Sequence, residues 1–402
     1  MSEKDRAAAW MLGLLVFSYA LVSAGRRVFG VTADSIRYDL GLTNTQTLLA
    51  SDVTILALAV SGLGVGYLTR ITSRKIITLV GLLVASLATL AVAWAQDFTE
   101  IFVARLMMGV GTALLLSAVL TMGIRYFSRQ RFAVIALVFF ATGLGSIVGM
   151  NVGGIMEDDV GWRQTHITFG LLGLTLAVLI MLYVKQWFSQ SRVTNPFFYN
   201  EFTHPAPSPS MWSRRPMLLG AMTVLSGVAV FCFHSIYISH LREIGGVTWK
   251  GGQVTLSLYA FGNLFAFYGI SLFKRYGART VLVSLFFMTG ILSFIMLLDI
   301  WKTNAIYVFF SVFLGISLGG MATVALMAEM IKSVVAEEAP PVMGWFTACL
   351  YGPGFLLNIL SEGLLEAMGW RGVGLVLITG SLIGASLLAM LLPKSSEIVR
   401  SI

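Results

Sequence analysis

Two stretches of the chain, GWRQTHITFGLLGLTLAVLIMLYVK at residues 161–185 and GWRGVGLVLITGSLIGASLLAMLLP at residues 369–393, open on the same Gly-Trp-Arg triplet. Behind each triplet runs an apolar segment of roughly 20 residues, the length of helix that crosses the hydrocarbon core of a bilayer. Such a segment, repeated late in each half of the chain, predicts an integral membrane protein built from two similar halves.

The composition of the whole chain supports a membrane protein. Its 402 residues are 57% hydrophobic and 11% charged, which is more apolar surface than a soluble protein of this size can bury. The hydropathy pattern predicts twelve membrane-spanning helices, near residues 8–33, 47–69, 75–96, 101–124, 132–155, 165–187, 217–241, 252–273, 280–299, 305–331, 340–364 and 370–393.

The longest break between spans lies at residues 188–216, which are rich in Pro, Ser and Asn. We therefore predict an N-terminal six-helix bundle over residues 1–187, a cytoplasmic linker over 188–216 and a C-terminal six-helix bundle over 217–402. Further correspondences between the halves fall at offsets of 205 to 208 residues: Gly66, Arg70 and Arg74 with Ser271, Arg275 and Arg279, and Asn151 with Asn358.

The formal net charge of +8 is explained by topology rather than by nucleic-acid binding. When loops are assigned alternately to the two sides of the membrane, eighteen Lys and Arg fall on one side and six on the other. Basic loops favour the cytoplasm, so both termini are expected there. We expect a monomer in the plasma membrane, which in a bacterium is the inner membrane.

At this point the chain resembles the major facilitator superfamily over essentially its full length. GYLTRITSRK at 66–75 stands where the family has its Gly-x-x-x-Asp-Arg-x-Gly-Arg-Arg motif, and RLMMGVGTA at 105–113 opens the fourth span. Thr69 and Ser73 replace the motif's aspartate and glycine, a departure from the family's charge clamp at this loop. The resemblance implies two pseudo-symmetric bundles that expose a midplane binding cavity alternately to each side.

Arg26 and Arg27 lie deep in the first span, where a charge is costly unless it faces water or a partner. One alternative is that both side chains reach the outer headgroups. The other is that a guanidinium binds an anion, because its planar fork matches carboxylate or phosphate. Tyr19 lies two helical turns before Arg26, and this Tyr-x6-Arg pattern resembles the organic-anion and organophosphate branch of the superfamily, in which such a pair lines the anion site.

The seventh span has no arginine, unlike the organophosphate exchangers that this branch includes. His234 is a candidate for its place, and a carboxylate is then favoured over a phosphomonoester. Each of the polar candidates is also open to a purely structural role as a hydrogen-bonding residue between helices. The candidate substrate-binding residues are Arg26, Arg27, Tyr19, Asn151, His234, Tyr237, Tyr259, Asn263, Tyr351 and Asn358.

Coupling and gating require other residues than substrate binding does. A proton-coupled transporter requires a group that gains and loses a proton as access alternates. An alternative role for Glu329 is an ion pair with Lys332. An alternative role for Arg105 is that of an anchor at the membrane boundary. Pro353 is expected to break or bend its helix and to act as a gating hinge. The candidates for coupling or gating are Arg105, Asp52, Glu329, Glu362 and Pro353.

These observations favour a secondary active transporter for a small organic anion, a carboxylate above all, coupled to protons or to a counter-anion. A proton-coupled exporter of drugs, siderophores or metabolites is the alternative, since GSIVGMNVGG at 145–154 resembles the family's antiporter motif with Met150 in place of its proline. A non-transporting membrane receptor or scaffold with the same fold is a third and more remote alternative. No enzymatic activity, cofactor or metal site is expected, because no catalytic or metal-binding motif occurs at a credible position.

Overall fold

A computed structural model of the chain describes residues 2–190, 210–237, 249–298, 304–335 and 338–393. These ranges consist largely of helices and contain no strand, which confirms the predicted all-α architecture. Ten of the described helices are long and apolar enough to cross a membrane. The chain divides into two compact units, unit 1 (Met1–Thr194) and unit 2 (Asn195–Ile402).

Unit 1 begins with a helix that extends well beyond the predicted span 8–33. Ser2 and Asp5 form a capping box at its start, and Gly41, with a φ of 63°, ends it in the left-handed conformation that glycine favours. The helices of this unit are α1 (Glu3–Leu40), α2 (Asn44–Ile71), α3 (Arg74–Trp94), α4 (Phe98–Tyr126), α5 (Arg131–Tyr183) and the short α6 (Gln186–Ser189).

The predicted fifth and sixth spans are joined end to end in α5. Gly161 interrupts that helix with φ 84° and ψ 165°, and Gly369 interrupts a helix of unit 2 in the same way, with φ 64° and ψ 172°. Residues with a Cβ rarely adopt this conformation, which explains why both repeated triplets begin with glycine. The sequence repeat therefore corresponds to a repeated backbone turn.

Unit 2 is less regular than unit 1. Its α-helices are α7 (Arg214–Cys232), α8 (Trp249–Gly262), α9 (Ala266–Tyr276), α10 (Ala278–Leu297), α11 (Asn304–Leu314), α12 (Thr323–Lys332), α13 (Ala339–Gly374) and α14 (Ser381–Ala389). Wider π-helical segments follow α7, α11 and α13, at Phe233–Tyr237, Gly315–Ala322 and Leu375–Gly380. Such segments often occur at functional sites, because they shift the register of the side chains that follow.

Pro353 lies within α13 without breaking it, so of the two expected effects, a break or a bend, the structure excludes the break, and the bend stays a prediction. The non-helical residue inside α13 is Gly369, sixteen positions later. A proline has a φ compatible with a helix, and the backbone bond that it removes is tolerated when neighbouring helices surround the segment. Pro353 is itself buried. Its role as a gating hinge stays a prediction.

Small residues bring α1 and α5 into close contact in unit 1. A Cβ added at Gly145 would overlap the carbonyl oxygen of Ala20, and one added at Gly149 would overlap that of Ala24. In a membrane, where apolar burial provides little driving force between helices, such backbone approach is a main source of helix association. This contact holds the segment of α1 that leads directly into Arg26 and Arg27.

Candidate binding and coupling site

The two arginines of α1 lie far inside a helix that has apolar residues on both sides of them. Arg26 and Arg27 are both half-buried, and Tyr19, two turns earlier, is almost completely buried. Because adjacent helical residues point about 100° apart, the two guanidinium groups leave α1 in different directions. The structure thus retains two cations at a depth where each requires compensation.

Arg105 joins these two arginines from α4. It is only 5% exposed, its Nε donates a hydrogen bond to the Ala50 carbonyl at 3.3 Å, and its guanidinium carbon lies 4.3 Å from the centre of the Phe29 ring. The charged end of Arg105 therefore lies inside unit 1, packed over an aromatic face. Its role in gating or coupling stays a prediction, and so does the alternative of an anchor at the membrane boundary.

The charged side chains that act electrostatically on Arg105 are Arg26 and Arg27 of α1 and Asp52 of α2. Asp52 is buried as well. Four of the residues predicted from the sequence, two for binding and two for coupling, are therefore gathered in one part of unit 1. This group contains three guanidinium groups and one carboxylate, so its formal charge is positive.

The backbone around Arg105 is held tightly against α2. The Thr54 hydroxyl donates to the Arg105 carbonyl at 2.9 Å, and a Cβ added at Gly109, one turn further along α4, would overlap the Thr54 carbonyl oxygen. The glycine-rich start of the fourth span thus allows α2 and α4 to pack closely. This close packing accompanies the electrostatic interaction between Arg105 and Asp52.

His166 is a member of this group that the sequence prediction missed. It lies one turn after the Gly161 break, is 1% exposed, and bonds the Trp162 carbonyl through Nδ1 at 2.9 Å. Arg105 acts electrostatically on it. The sequence does show His166 inside the sixth predicted span, but the argument that selected His234, the missing arginine of the seventh span, does not extend to it.

Asn151, the remaining candidate in unit 1, has a different environment. Its side chain is exposed on α5, and its Nδ2 donates to the Ile147 carbonyl one turn earlier at 2.8 Å. Its part in binding stays a prediction.

The basic residues at the start of α3 contact carbonyl groups of α6 and of the end of α5. An Arg74 terminal nitrogen donates to the Ser189 carbonyl at 2.8 Å, and Lys75 Nζ donates to the Met181 carbonyl at 2.8 Å. Cations are favoured at such carbonyl groups, because helix ends leave them without intrahelical partners and the helix dipole is negative there.

In unit 2 the candidates His234, Tyr259 and Tyr351 belong to an aromatic cluster. The His234 ring packs edge-on against Tyr259 at 4.6 Å between centroids, and its Nδ1 bonds the Val230 carbonyl at 2.7 Å. Phe231 connects His234 with Tyr351, at 6.3 Å and 6.0 Å. His234, Phe231 and Tyr351 are half-buried, so the cluster retains an accessible edge.

Asn263 lies behind this cluster, at the short 3-10 turn between α8 and α9. It is buried, and a Cβ added at Gly319 would overlap its Oδ1 and come within 3.1 Å of the Tyr259 hydroxyl. The two polar groups therefore point at the same irregular segment that follows α11. A glycine is required at position 319 for this packing.

Glu329 forms an ion-pair network at the end of α12. It accepts hydrogen bonds from Lys332 at 2.7 Å and from Arg215 of α7 at 3.1 Å. The alternative role of Glu329, an ion pair with Lys332, is thus a contact in the structure. Arg215 is a second cationic partner of the same carboxylate. The role of Glu329 in coupling stays a prediction, as do those of Tyr237, Asn358 and Glu362, whose side chains lie outside the described part of the structure.

Comparison with known proteins gives a family. The model of the Major Facilitator Superfamily matches residues 15–357. An uncharacterized MFS-type transporter, YybF of Bacillus subtilis, is 26% identical over 172 residues, 41% of this chain and 43% of that protein. A gallate transporter of Pseudomonas putida is 27% identical over 176 residues, 43% of this chain and 39% of that protein.

A methylenomycin A resistance protein of Streptomyces coelicolor is 28% identical over 179 residues, 43% of this chain and 38% of that protein. The alignments span about two-fifths of the length of these curated relatives. The family model covers most of the chain and agrees with its all-helical fold and its apolar spans. The chain therefore belongs to the major facilitator superfamily.

Proposed function

We propose that this transporter carries a small organic anion, a carboxylate above all. The observation that carries the proposal is the positive charge around Arg105, where Arg26 and Arg27 act together with one carboxylate, Asp52. Buried like charges repel each other strongly in a medium of low dielectric constant. A bound anion would offset this repulsion, so anion binding at this place is favoured more than cation binding.

Guanidinium groups suit this substrate for a second reason. They stay protonated and offer parallel N–H groups that match the two oxygens of a carboxylate. The seventh span has His234 where the organophosphate exchangers have a second arginine, which favours a monoanionic carboxylate over a phosphate dianion. The relative from Pseudomonas putida is described as a gallate transporter, and gallate is itself a carboxylate.

The working cycle that we propose follows the family. The bundles 1–187 and 217–402, joined by the linker 188–216, expose the site alternately to each side of the plasma membrane, with both termini in the cytoplasm. Protons or a counter-anion provide the driving force, and the transporter acts as a monomer. Tyr19, Asn151, His234, Tyr237, Tyr259, Asn263, Tyr351 and Asn358 are the proposed contacts beyond the arginines.

An exporter of apolar compounds is the second candidate, and the aromatic cluster of unit 2 supports it. Phe231, His234 and Tyr351 form an accessible aromatic edge, which suits flat hydrophobic molecules. A methylenomycin A resistance protein is among the relatives. The two candidates differ in the substrate charge that they require.

A thermal-shift experiment on the purified full-length protein distinguishes them. Benzoate, inorganic phosphate, nitrate and tetraphenylphosphonium are tested on the wild type and on Arg26→Gln, Arg27→Gln and the control Arg37→Gln. Arg37 lies on the same helix, close to its C-terminal end, where it pairs with Asp34. A ligand at about 100 times its Kd stabilises the native state by about 2.7 kcal/mol. We expect benzoate to raise the Tm of the wild type and of Arg37→Gln.

At least one of the Arg26 and Arg27 variants should lose that benzoate shift. Its loss identifies the arginine that contacts the substrate. Stabilisation by tetraphenylphosphonium alone, equal in all four proteins, would contradict the anion proposal and favour the exporter.

A further inference from the structure

The imidazole of His234 is oriented by the helix that carries it. Its Nδ1 lies 2.7 Å from the carbonyl oxygen of Val230, four residues earlier, where α7 passes into the π-helical segment Phe233–Tyr237. A carbonyl oxygen only accepts hydrogen bonds, so Nδ1 carries a proton. In the neutral imidazole Nε2 is then the acceptor, because the bond made by one ring nitrogen determines the role of the other.

The rings that pack against His234 are uncharged. Phe233 and Tyr259, both buried, lie edge-on to it, with 5.8 Å and 4.6 Å between ring centroids. Phe233 also packs against Tyr259 at 5.4 Å and against Phe310 at 5.9 Å. Because burying a charge is costly, these surroundings favour the neutral imidazole, which is the form with an acceptor at Nε2.

The accessible rings of the same cluster provide apolar surface beside this acceptor. Phe231 lies 6.3 Å from His234 and 6.0 Å from Tyr351, and all three residues are half-buried. A flat aromatic molecule packs well against such rings, in edge-on or offset arrangements. Unit 2 therefore combines a surface suited to an aromatic ring with an acceptor suited to an O–H group.

We propose that His234 accepts a hydrogen bond from a hydroxyl group of the substrate, and that the substrate is an aromatic carboxylate with a phenolic hydroxyl. The inference rests on the proposed function, which assigns the carboxylate to the arginines of unit 1. His234 then acts as a neutral acceptor that selects the substrate, and does not replace the positive charge of an arginine.

A matched set of ligands tests whether a donor is recognised. We compare para- and meta-hydroxybenzoate with the corresponding methoxybenzoates, which keep the ring, the carboxylate and the oxygen but have no O–H. Each Kd follows from the rise in Tm of the purified full-length protein with ligand concentration at neutral pH. We expect at least one hydroxybenzoate to bind about tenfold more tightly than its methoxy counterpart, the effect of about one hydrogen bond.

Three substitutions of His234 separate an acceptor from a charge. His234→Leu has no polar group, His234→Arg has only donors, and His234→Gln supplies an amide oxygen at about the distance of Nε2. The preference for the hydroxyl ligand should disappear in the Leu and Arg variants and be largely retained in the Gln variant. A preference that persists in His234→Leu or His234→Arg would overturn the proposal.

Thr223 offers a matched control on α7. It is buried, and its hydroxyl donates to the Leu219 carbonyl, four residues earlier, at 2.8 Å. Thr223→Val thus removes a bond from a side chain to a carbonyl at the same spacing as that of His234. The hydroxyl preference should be unchanged in this variant. An equal loss there would assign the effect to a general loosening of α7 and contradict a specific role for His234.

The saturated analogue of para-hydroxybenzoate, a hydroxycyclohexanecarboxylate, tests the aromatic ring. It keeps the hydroxyl and the carboxylate but has no flat π face. We expect it to bind about threefold to tenfold less tightly than para-hydroxybenzoate, the usual range for an aromatic contact beyond burial of area. Equal Kd values would contradict the aromatic part of the proposal.

Neutral ligands separate this inference from the anion proposal. The para- and meta-hydroxybenzamides and their methoxy counterparts carry the same substituents on the same ring and have no carboxylate. A hydroxyl preference among the benzamides that depends on His234, without stabilisation by any benzoate, would refute the anion proposal and support the role of His234. Equal Kd values for hydroxy and methoxy ligands in both series, or no stabilisation by any hydroxyl ligand, would overturn the inference.

Discussion

Arg105 illustrates how a single charged side chain is accommodated inside an apolar unit. Its Nε bonds the Ala50 carbonyl, its planar face covers Phe29, and Asp52 provides an opposite charge. Each of these interactions depends on the shape of the guanidinium as well as on its charge. A lysine at this position would keep the charge and lose the geometry.

We therefore expect Arg105→Lys to lower the stability of the purified protein by about 1–3 kcal/mol, seen as a lower Tm in detergent. Arg37→Lys is the control, because Arg37 pairs with the partly exposed Asp34 near the end of α1, and surface pairs of this kind contribute about 0–1 kcal/mol. Equal Tm changes in the two variants would show that charge alone stabilises position 105.

At the scale of helices, unit 1 depends on contacts in which a glycine of one helix meets the backbone of another. Gly145 and Gly149 bring α5 onto α1, and Gly109 brings α4 onto α2. These contacts determine where Arg26, Arg105 and Asp52 lie relative to each other. A change in helix spacing should therefore affect both stability and ligand binding.

Gly149→Ala tests this dependence. The added methyl group would overlap the Ala24 carbonyl, and overpacking of this kind costs about 1–3 kcal/mol. We expect a lower Tm and a smaller benzoate shift, because α1 and its arginines are displaced together. Gly13→Ala is the control: nothing lies within 4 Å of a Cβ at that position, so Tm should stay the same or rise slightly. Comparable losses in both variants would argue against a role for close helix approach.

At the scale of the whole molecule, the distribution of basic residues predicts the orientation in the membrane. Loops near the end of α4, which contain Arg129, are expected in the cytoplasm, and the end of α1, which contains Tyr38, outside. Both side chains are exposed in the structure. The two natural cysteines, Cys232 and Cys349, are buried and free, so they contribute little background to thiol labelling.

A membrane-impermeant maleimide therefore checks the orientation. Tyr38→Cys should react in intact cells, and Arg129→Cys only after the membrane is permeabilised. The reverse pattern would place the termini outside the cytoplasm and contradict the positive-inside assignment.

Much of the architecture was predictable because its signals are local or periodic. The apolar runs predict the helices, and the repeated Gly-Trp-Arg triplet predicts related halves, whose glycines share a positive φ in the structure. Of the break or bend predicted at Pro353, the break does not occur, because a proline inside a helix can be tolerated when its surroundings compensate for the lost bond. The π-helical segments of unit 2 also had no recognisable signal in the sequence.

The sequence by itself determined the membrane class, the all-helical fold and the presence of deeply placed charges. Of its 27 Lys and Arg, the three that the loop assignment leaves inside spans are Arg26, Arg27 and Arg105. Only the tertiary structure decided that Arg26, Arg27 and Asp52 act electrostatically on Arg105, and that Arg105 acts on His166. The physical reason is that hydropathy is summed along the chain, whereas electrostatic and hydrogen-bonding partners are selected by the packing of helices distant in sequence.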